Sequence, residues 1–103
     1  MTEKRRPTHD LAAIKAALSS AARLNRTLVS ARDAAALGMD AAAVVAVIQA
    51  LRYPRDFDKS ATSHHDHRQW HDSYKPVVEG VPLYLKFTLD DKGDFLLTSF
   101  KEA

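Results

Sequence analysis

The chain contains no cysteine and only three glycines among its 103 residues. The first absence excludes a disulfide framework, a thiolate zinc site and a cysteine nucleophile. No Gly-rich phosphate loop, Ser-x-Gly elbow or paired-carboxylate motif is present either, so most hydrolase and transferase templates have no footing. Long apolar runs are missing too. The longest, Ala41–Ile48, falls far short of a membrane span, and the charged opening Met1–Pro7 has no apolar stretch behind it. The expectation is a soluble cytoplasmic protein without a secretory signal or a membrane partner. Its length suits one domain, residues 1–103, and its large apolar side chains can form a core without covalent staples.

The formal charge of +2 is spread unevenly. Residues 1–26 carry +4, residues 27–51 carry −1, residues 52–75 carry +1 and residues 76–103 carry −2. Four of the five histidines, His64, His65, His67 and His71, fall within the third segment. At an ordinary pKa near 6.5 they make that segment more cationic as pH falls. Charge alone leaves open whether the partner is a polyanion.

Residues 1–54 read as mainly helical. Thr8 is a candidate N-cap, with Leu11, Ile14 and Leu18 recurring on one face behind it. Arg26–Val29 reads as a short extended piece. Ser30 with Asp33 resembles a capping box opening a helix that Gly38 stops, and Asp40 caps another whose buried stripe is Val44, Val47, Ile48 and Leu51. Residues 55–103 change period. Phe57–Ser63, Trp70–Val78, Val81–Leu89 and Asp94–Lys101 read as strands, and their short connections favour antiparallel neighbours. The fold class is therefore α+β, about three N-terminal helices packed on an antiparallel sheet formed mainly by the C-terminal half.

Helices on one sheet face leave the other available. In the strand from Trp70, the side chains of Trp70, Asp72 and Tyr74 share one side and His71, Ser73 and Lys75 the other. Leu83, Leu85, Phe87 and Leu89 turn inward, which sends Tyr84 and Lys86 outward. His71, Lys75, Tyr84 and Lys86 are thus expected on one surface, where Lys59 and Lys101 can join them. Lys101 is ambiguous, because Phe95 and Leu97 share its parity while Leu96 and Phe100 hold the other. A solvated lysine face reads equally well from such a pattern. If the face is a site, a base, a phenol and ammonium groups suit attack of an RNA 2′-OH on its own phosphodiester. That reaction needs proton exchange and cations rather than a metal or cofactor.

A set of strings runs the length of the chain in a fixed order. It comprises Glu3-Lys4-Arg5 with Pro7-Thr8, Ala36-Leu37-Gly38-Met39-Asp40, Asp56-Phe57-Asp58-Lys59-Ser60 and Asp66-His67. Trp70-His71-Asp72-Ser73-Tyr74-Lys75-Pro76, Tyr84-Leu85-Lys86 and Ser99-Phe100-Lys101-Glu102 complete it. In this order and spacing the chain resembles the MqsR family of mRNA-interferase toxins. The resemblance implies a RelE-like fold and ribosome-independent cleavage of mRNA at short GC-containing sequences. It also implies neutralisation by a cognate antitoxin that represses its own operon, with the toxin modulating that repression, in systems linked to stress response, persistence and biofilm formation. By the same resemblance Lys59, Tyr84 and Lys101 match the family's functional positions, although Asp58 stands where a tyrosine is expected. His71 occupies a position where the family has glutamine; an imidazole there can move a proton, which an amide cannot. His67, Lys75 and Lys86 are the accompanying RNA-contact candidates.

The histidine cluster has a second reading. His67 and His71 are four apart, a metal spacing on a helix, but a turn running into a strand separates them by about 13 Å. No metal site is expected from it. Trp70 and Tyr74 read as core rather than as base-stacking platforms. Lys4, Arg5 and Arg6 read either as an RNA-steering arm or as a fraying end. A non-catalytic nucleic-acid- or protein-binding module using the same basic face remains the alternative to an enzyme.

Overall fold

A short polar side chain opens each of the three helices, satisfying an amide that has no partner within the helix. In the computed structural model, which describes residues 2–103, Asp10 accepts from the Ala12 amide at the start of α1 (Leu11–Ala17). Thr27 accepts from the Ser30 amide ahead of α2 (Leu28–Ala36), and Asp40 from the Ala43 amide ahead of α3 (Ala41–Ala50). Asp40 is the cap expected from sequence; the other two are corrections. Thr8 is drawn to the sheet instead, its amide donating to Asp72 Oδ1 at 3.1 Å and its hydroxyl hydrogen-bonded to Ser60. Ser30 lies buried inside α2, donating to the carbonyls of Thr27 and Leu97. The extended piece expected over Arg26–Val29 shrinks to a bridge between Arg26 and Leu97, because Leu28 and Val29 already belong to α2. Gly38 takes a left-handed φ of 75° just past α2, as a helix stop should.

The strands are β1 (Glu3–Lys4), β2 (Phe57–Thr62), β3 (Trp70–Tyr74), β4 (Val77–Val78), β5 (Val81–Leu89) and β6 (Phe95–Glu102). Their pairings are all antiparallel: β1 with β2, β2 with β3, and β5 with each of β3, β4 and β6. The α+β arrangement read from the sequence is the observed one, with two differences. The strand expected over Trp70–Val78 is broken at Lys75-Pro76, where proline brings no amide and the Lys75 amide turns away to the Asp56 carbonyl at 2.7 Å. Glu3 and Lys4 do not hang free; they pair with Ala61 and Ser60 and extend the sheet.

Tyr74, Leu83, Leu85, Phe87, Leu97 and Phe100 form the buried sheet face, packed on Ile14, Leu18, Val44, Val47, Ile48 and Leu51 from α1, α3 and their ends. Each such side chain contributes about 1.5–3 kcal/mol on burial. Tyr74 is core as expected, whereas Trp70 is only half-buried at the rim, with the Lys4 ammonium 4.4 Å from its ring centre. Asp72 also faces this side. Its fully buried carboxylate accepts the Thr8 and His9 amides at 3.1 and 2.8 Å and so ties the N-terminal segment across the sheet.

Two β-bulges interrupt the alternation. In β2 the register steps from Phe57↔Tyr74 to Lys59↔Ser73, leaving Asp58 as the extra residue. In β6 it steps from Leu97↔Phe87 to Ser99↔Lys86, leaving Thr98 extra. An extra residue reverses the facing of all that follows it. Phe57 can therefore pack inward on Tyr74 while Lys59 turns outward. Leu97 and Phe100 both reach the core while Lys101 does not, which resolves the mixed parity of β6.

Two substitutions test this account. Asp72→Ala removes the shared acceptor of two part-buried amides, those of Thr8 and His9, and should lower unfolding free energy by about 1–3 kcal/mol. Tyr74→Phe should leave stability unchanged or slightly raised, because the buried Tyr74 hydroxyl has no hydrogen-bond partner. Urea unfolding monitored by circular dichroism checks both.

Candidate active site

The pairing register lines up the outward side chains in rows. Lys59, Ser73, Lys86 and Ser99 lie opposite one another across β2, β3, β5 and β6. One row away Glu3, Ala61 and His71 are aligned, and on the other side Tyr84 stands opposite Lys101. With strands about 4.8 Å apart and alternate residues about 7 Å apart, the Cα atoms of Lys59 and Lys86 are about 10 Å from each other and those of Lys86 and Tyr84 about 7 Å. Flexible lysine side chains can close much of that distance.

Two adjoining depressions follow these rows. One of about 400 Å³ is lined by Lys59, His71, Ser73, Tyr84 and Lys86, with Ser63, His64 and His65 at its rim. The second, about 530 Å³, is lined by Lys75, Tyr84, Lys86, Ser99 and Lys101. Tyr84 and Lys86 form the ridge between them. A larger depression of about 600 Å³ near Asn25 and Asp90 holds none of the expected residues and lies on another part of the surface. Six of the seven candidates named from sequence thus meet on one face. The seventh, His67, does not: it is exposed on the turn before β3 and lines neither depression. His64 and His65 take the place next to the site. Strand parity assigns no facing to residues in an irregular connection, so it cannot choose among these three histidines. The helical metal spacing of His67 and His71 is not realised, since His71 belongs to β3.

The cations of this face are held in different ways. Lys59 Nζ donates to Glu3 Oε2 at 2.8 Å, and that carboxylate raises the lysine pKa while its own falls. Lys75 lies 3.7 Å from Asp58, whose carboxylate also accepts the Ser73 hydroxyl at 2.9 Å. Lys86 is half-buried, and burial, then the nearby Lys101 ammonium, lowers its pKa. Lys101 lies over the Tyr84 ring, 5.7 Å from its centre, in cation–π geometry. His71 is half-buried with Nδ1 enclosed and unpartnered. Burial, reinforced by Lys86 and His9 and opposed by Asp72, holds its pKa below the ordinary 6.5. A neutral imidazole beside several ammonium groups can take up a proton while the cations hold an anion.

Sequence comparison bears on what that anion is. A family model described as "Motility quorum-sensing regulator, toxin of MqsA" matches residues 6–102. The mRNA interferase toxin MqsR of Escherichia coli (strain K12) is 37% identical over 100 residues, covering 97% of this chain and 98% of the relative.

The depressed pKa of His71 has a consequence for stability. The unfolded chain binds this proton more readily than the folded one, so the contribution is present above pH 6.5 and is lost as pH falls through the lower, folded pKa. His71→Gln should flatten the decline in Tm between pH 6.5 and 5, measured by thermal unfolding in matched buffers. Carboxylates such as Asp56, Asp66 and Asp90, whose pKa values are lowered from 3.8 by their hydrogen-bond partners, act only at more acidic pH.

Proposed function

The chain belongs to the MqsR toxin family, and on that footing we propose that it is an mRNA endoribonuclease, the toxin of a toxin–antitoxin pair, that cuts RNA without ribosome or metal. The observation that carries this reading is the shared outward facing of Lys59, His71, Tyr84, Lys86 and Lys101 on one sheet face, along two adjoining depressions. In the proposed reaction His71 removes the proton from the 2′-OH, and the 2′-oxygen attacks the adjacent phosphorus. The phosphorane's extra negative charge is held by Lys59 and Lys101, with Lys86 beside them. The bond from phosphorus to the 5′-oxygen breaks, and the Tyr84 hydroxyl supplies the proton that this oxygen needs. The products are a 2′,3′-cyclic phosphate and a free 5′-OH.

The roles follow from surroundings. A general base must be unprotonated, and the burial that depresses the His71 pKa keeps the ring neutral at pH 7. Lys75 and Lys86 hold neighbouring phosphates, while His67, from its exposed turn, meets RNA only beyond the scissile position. Cleavage at short GC-containing sequences, a cytoplasmic site of action and residues 1–103 acting as one domain belong to the same reading. So does neutralisation by a DNA-binding antitoxin whose repression the toxin modulates.

Incubating the purified protein with a defined transcript in excess EDTA tests the proposal. Cuts bearing 2′,3′-cyclic ends, abolished by a 2′-deoxy substitution at the cut site, are expected. Binding without cutting would favour the non-catalytic module instead, and cutting only after metal is restored would favour a metal enzyme. Lys59→Met and Lys101→Met should each lower kcat by about 10²–10³-fold, as loss of transition-state charge stabilisation does. His71→Gln should cost about 10²–10⁴-fold. It should also remove the acidic limb of the pH–rate profile, which in the wild type falls below pH 6.5.

A further inference from the structure

Strand β1 takes no part in the proposed reaction, yet it brings one carboxylate onto the cationic face. Glu3 stands opposite Ala61 and diagonal to Lys59, and its Oε2 accepts from Lys59 Nζ at 2.8 Å. We infer that Glu3 is an internal substitute for the substrate phosphate, occupying the Lys59 ammonium until RNA displaces it. The inference rests on the proposed reading of Lys59 as a group that holds the scissile phosphodiester.

Three observations support it. Carboxylate and phosphate oxygens compete for the same charged N–H donors, so both cannot use Lys59 at full strength. The pair is open to solvent, with side-chain exposures of 36% for Lys59 and 46% for Glu3, so an incoming anion can reach it and the exchange is cheap. Nor does β1 depend on the pair to stay in place. The Thr62 amide donates to the Thr2 carbonyl at 2.8 Å, the Thr2 amide to Thr62 Oγ1 at 2.9 Å, and the Thr8 and His9 amides to Asp72. Among the described residues, Lys86 and Lys101 make no ion pair with a carboxylate, whereas Lys59 is held at hydrogen-bond distance. The carboxylate therefore sits where it weakens first binding of RNA without touching the proton-transfer groups.

The test is Glu3→Gln, whose unfolding midpoint should match the wild type. The binding probe is the transcript segment that the wild type cuts, made with 2′-O-methyl riboses so that it cannot be cleaved. Removing a competitor of this exposed kind should tighten Kd about fivefold and lower KM alike, leaving kcat unchanged. The gain should vanish in a Lys59→Gln background. It should also be absent in Asp91→Asn, which removes the same unit of charge from the exposed turn between β5 and β6. Unchanged or weaker binding, a fall in kcat, or a gain that Asp91→Asn reproduces or that survives Lys59→Gln would each overturn the inference. If the wild type cuts RNA and Glu3→Gln binds no tighter, this inference alone fails. If the wild type cuts no transcript, the proposed function fails and takes the inference with it.

Discussion

Alternation along a strand allows only every second side chain onto a given face, and this protein's cationic surface exists because that rule is broken twice. Without the extra residue Asp58, Phe57 and Lys59 would point the same way, and either an aromatic ring would face water or an ammonium would enter the core. Without the bulge at Thr98, Leu97 would share a face with Lys101 and stand opposite to Phe100. The core and the outer face each need side chains of the wrong parity from one continuous strand. A bulge meets both needs at the cost of one interrupted ladder position. Strands β3 and β5 keep strict alternation over the residues that matter, and they supply His71, Tyr84 and Lys86 from the middle of the sheet.

That arrangement gives chemically similar lysines dissimilar surroundings. Lys59 is paired and strongly protonated, Lys86 is partly desolvated beside another ammonium, and Lys101 rests against an aromatic face. Like charges gathered on one surface repel, and binding a polyanion relieves the repulsion. The imidazole among them responds in the opposite sense, since neighbouring positive charge and burial both disfavour its protonation. A face rich in fixed cations is thus also one where a histidine remains available as a base at neutral pH.

Much of this was legible in the sequence, for identifiable reasons. The run from Val81 to Leu89 alternates so regularly that its limits and the facing of Leu83 to Phe87 were readable directly. At its end, however, Thr88 is buried and Leu89, expected inward, is exposed. Asp40 followed by an apolar stripe marked α3. The shared outward facing of His71, Tyr84 and Lys86 followed from period two alone. The facing of Lys59 did not, because a bulge announces itself only through partners distant in the chain. The caps of α1 and α2 were misplaced for a related reason: Thr8 was claimed by Asp72, sixty-four residues away, before it could serve a helix. A two-residue strand such as β1 has no period to detect, so Glu3 was invisible as a neighbour of Lys59. The choice among His64, His65 and His67 depended on the path of an irregular connection.

The irregularity in β6 is itself held from outside the sheet. The Leu97 amide donates to the Asn25 carbonyl, the Thr27 amide to the Leu97 carbonyl and the Thr27 hydroxyl to the Thr98 carbonyl. Residues 25–30 therefore act as a template that fixes where the strand changes phase. A change of sequence there, on the helical side and remote from any phosphate, would be felt as a misdirected ammonium at Lys101. This short segment thus governs, through hydrogen bonds to the backbone of the strand, the aim of a side chain it never touches.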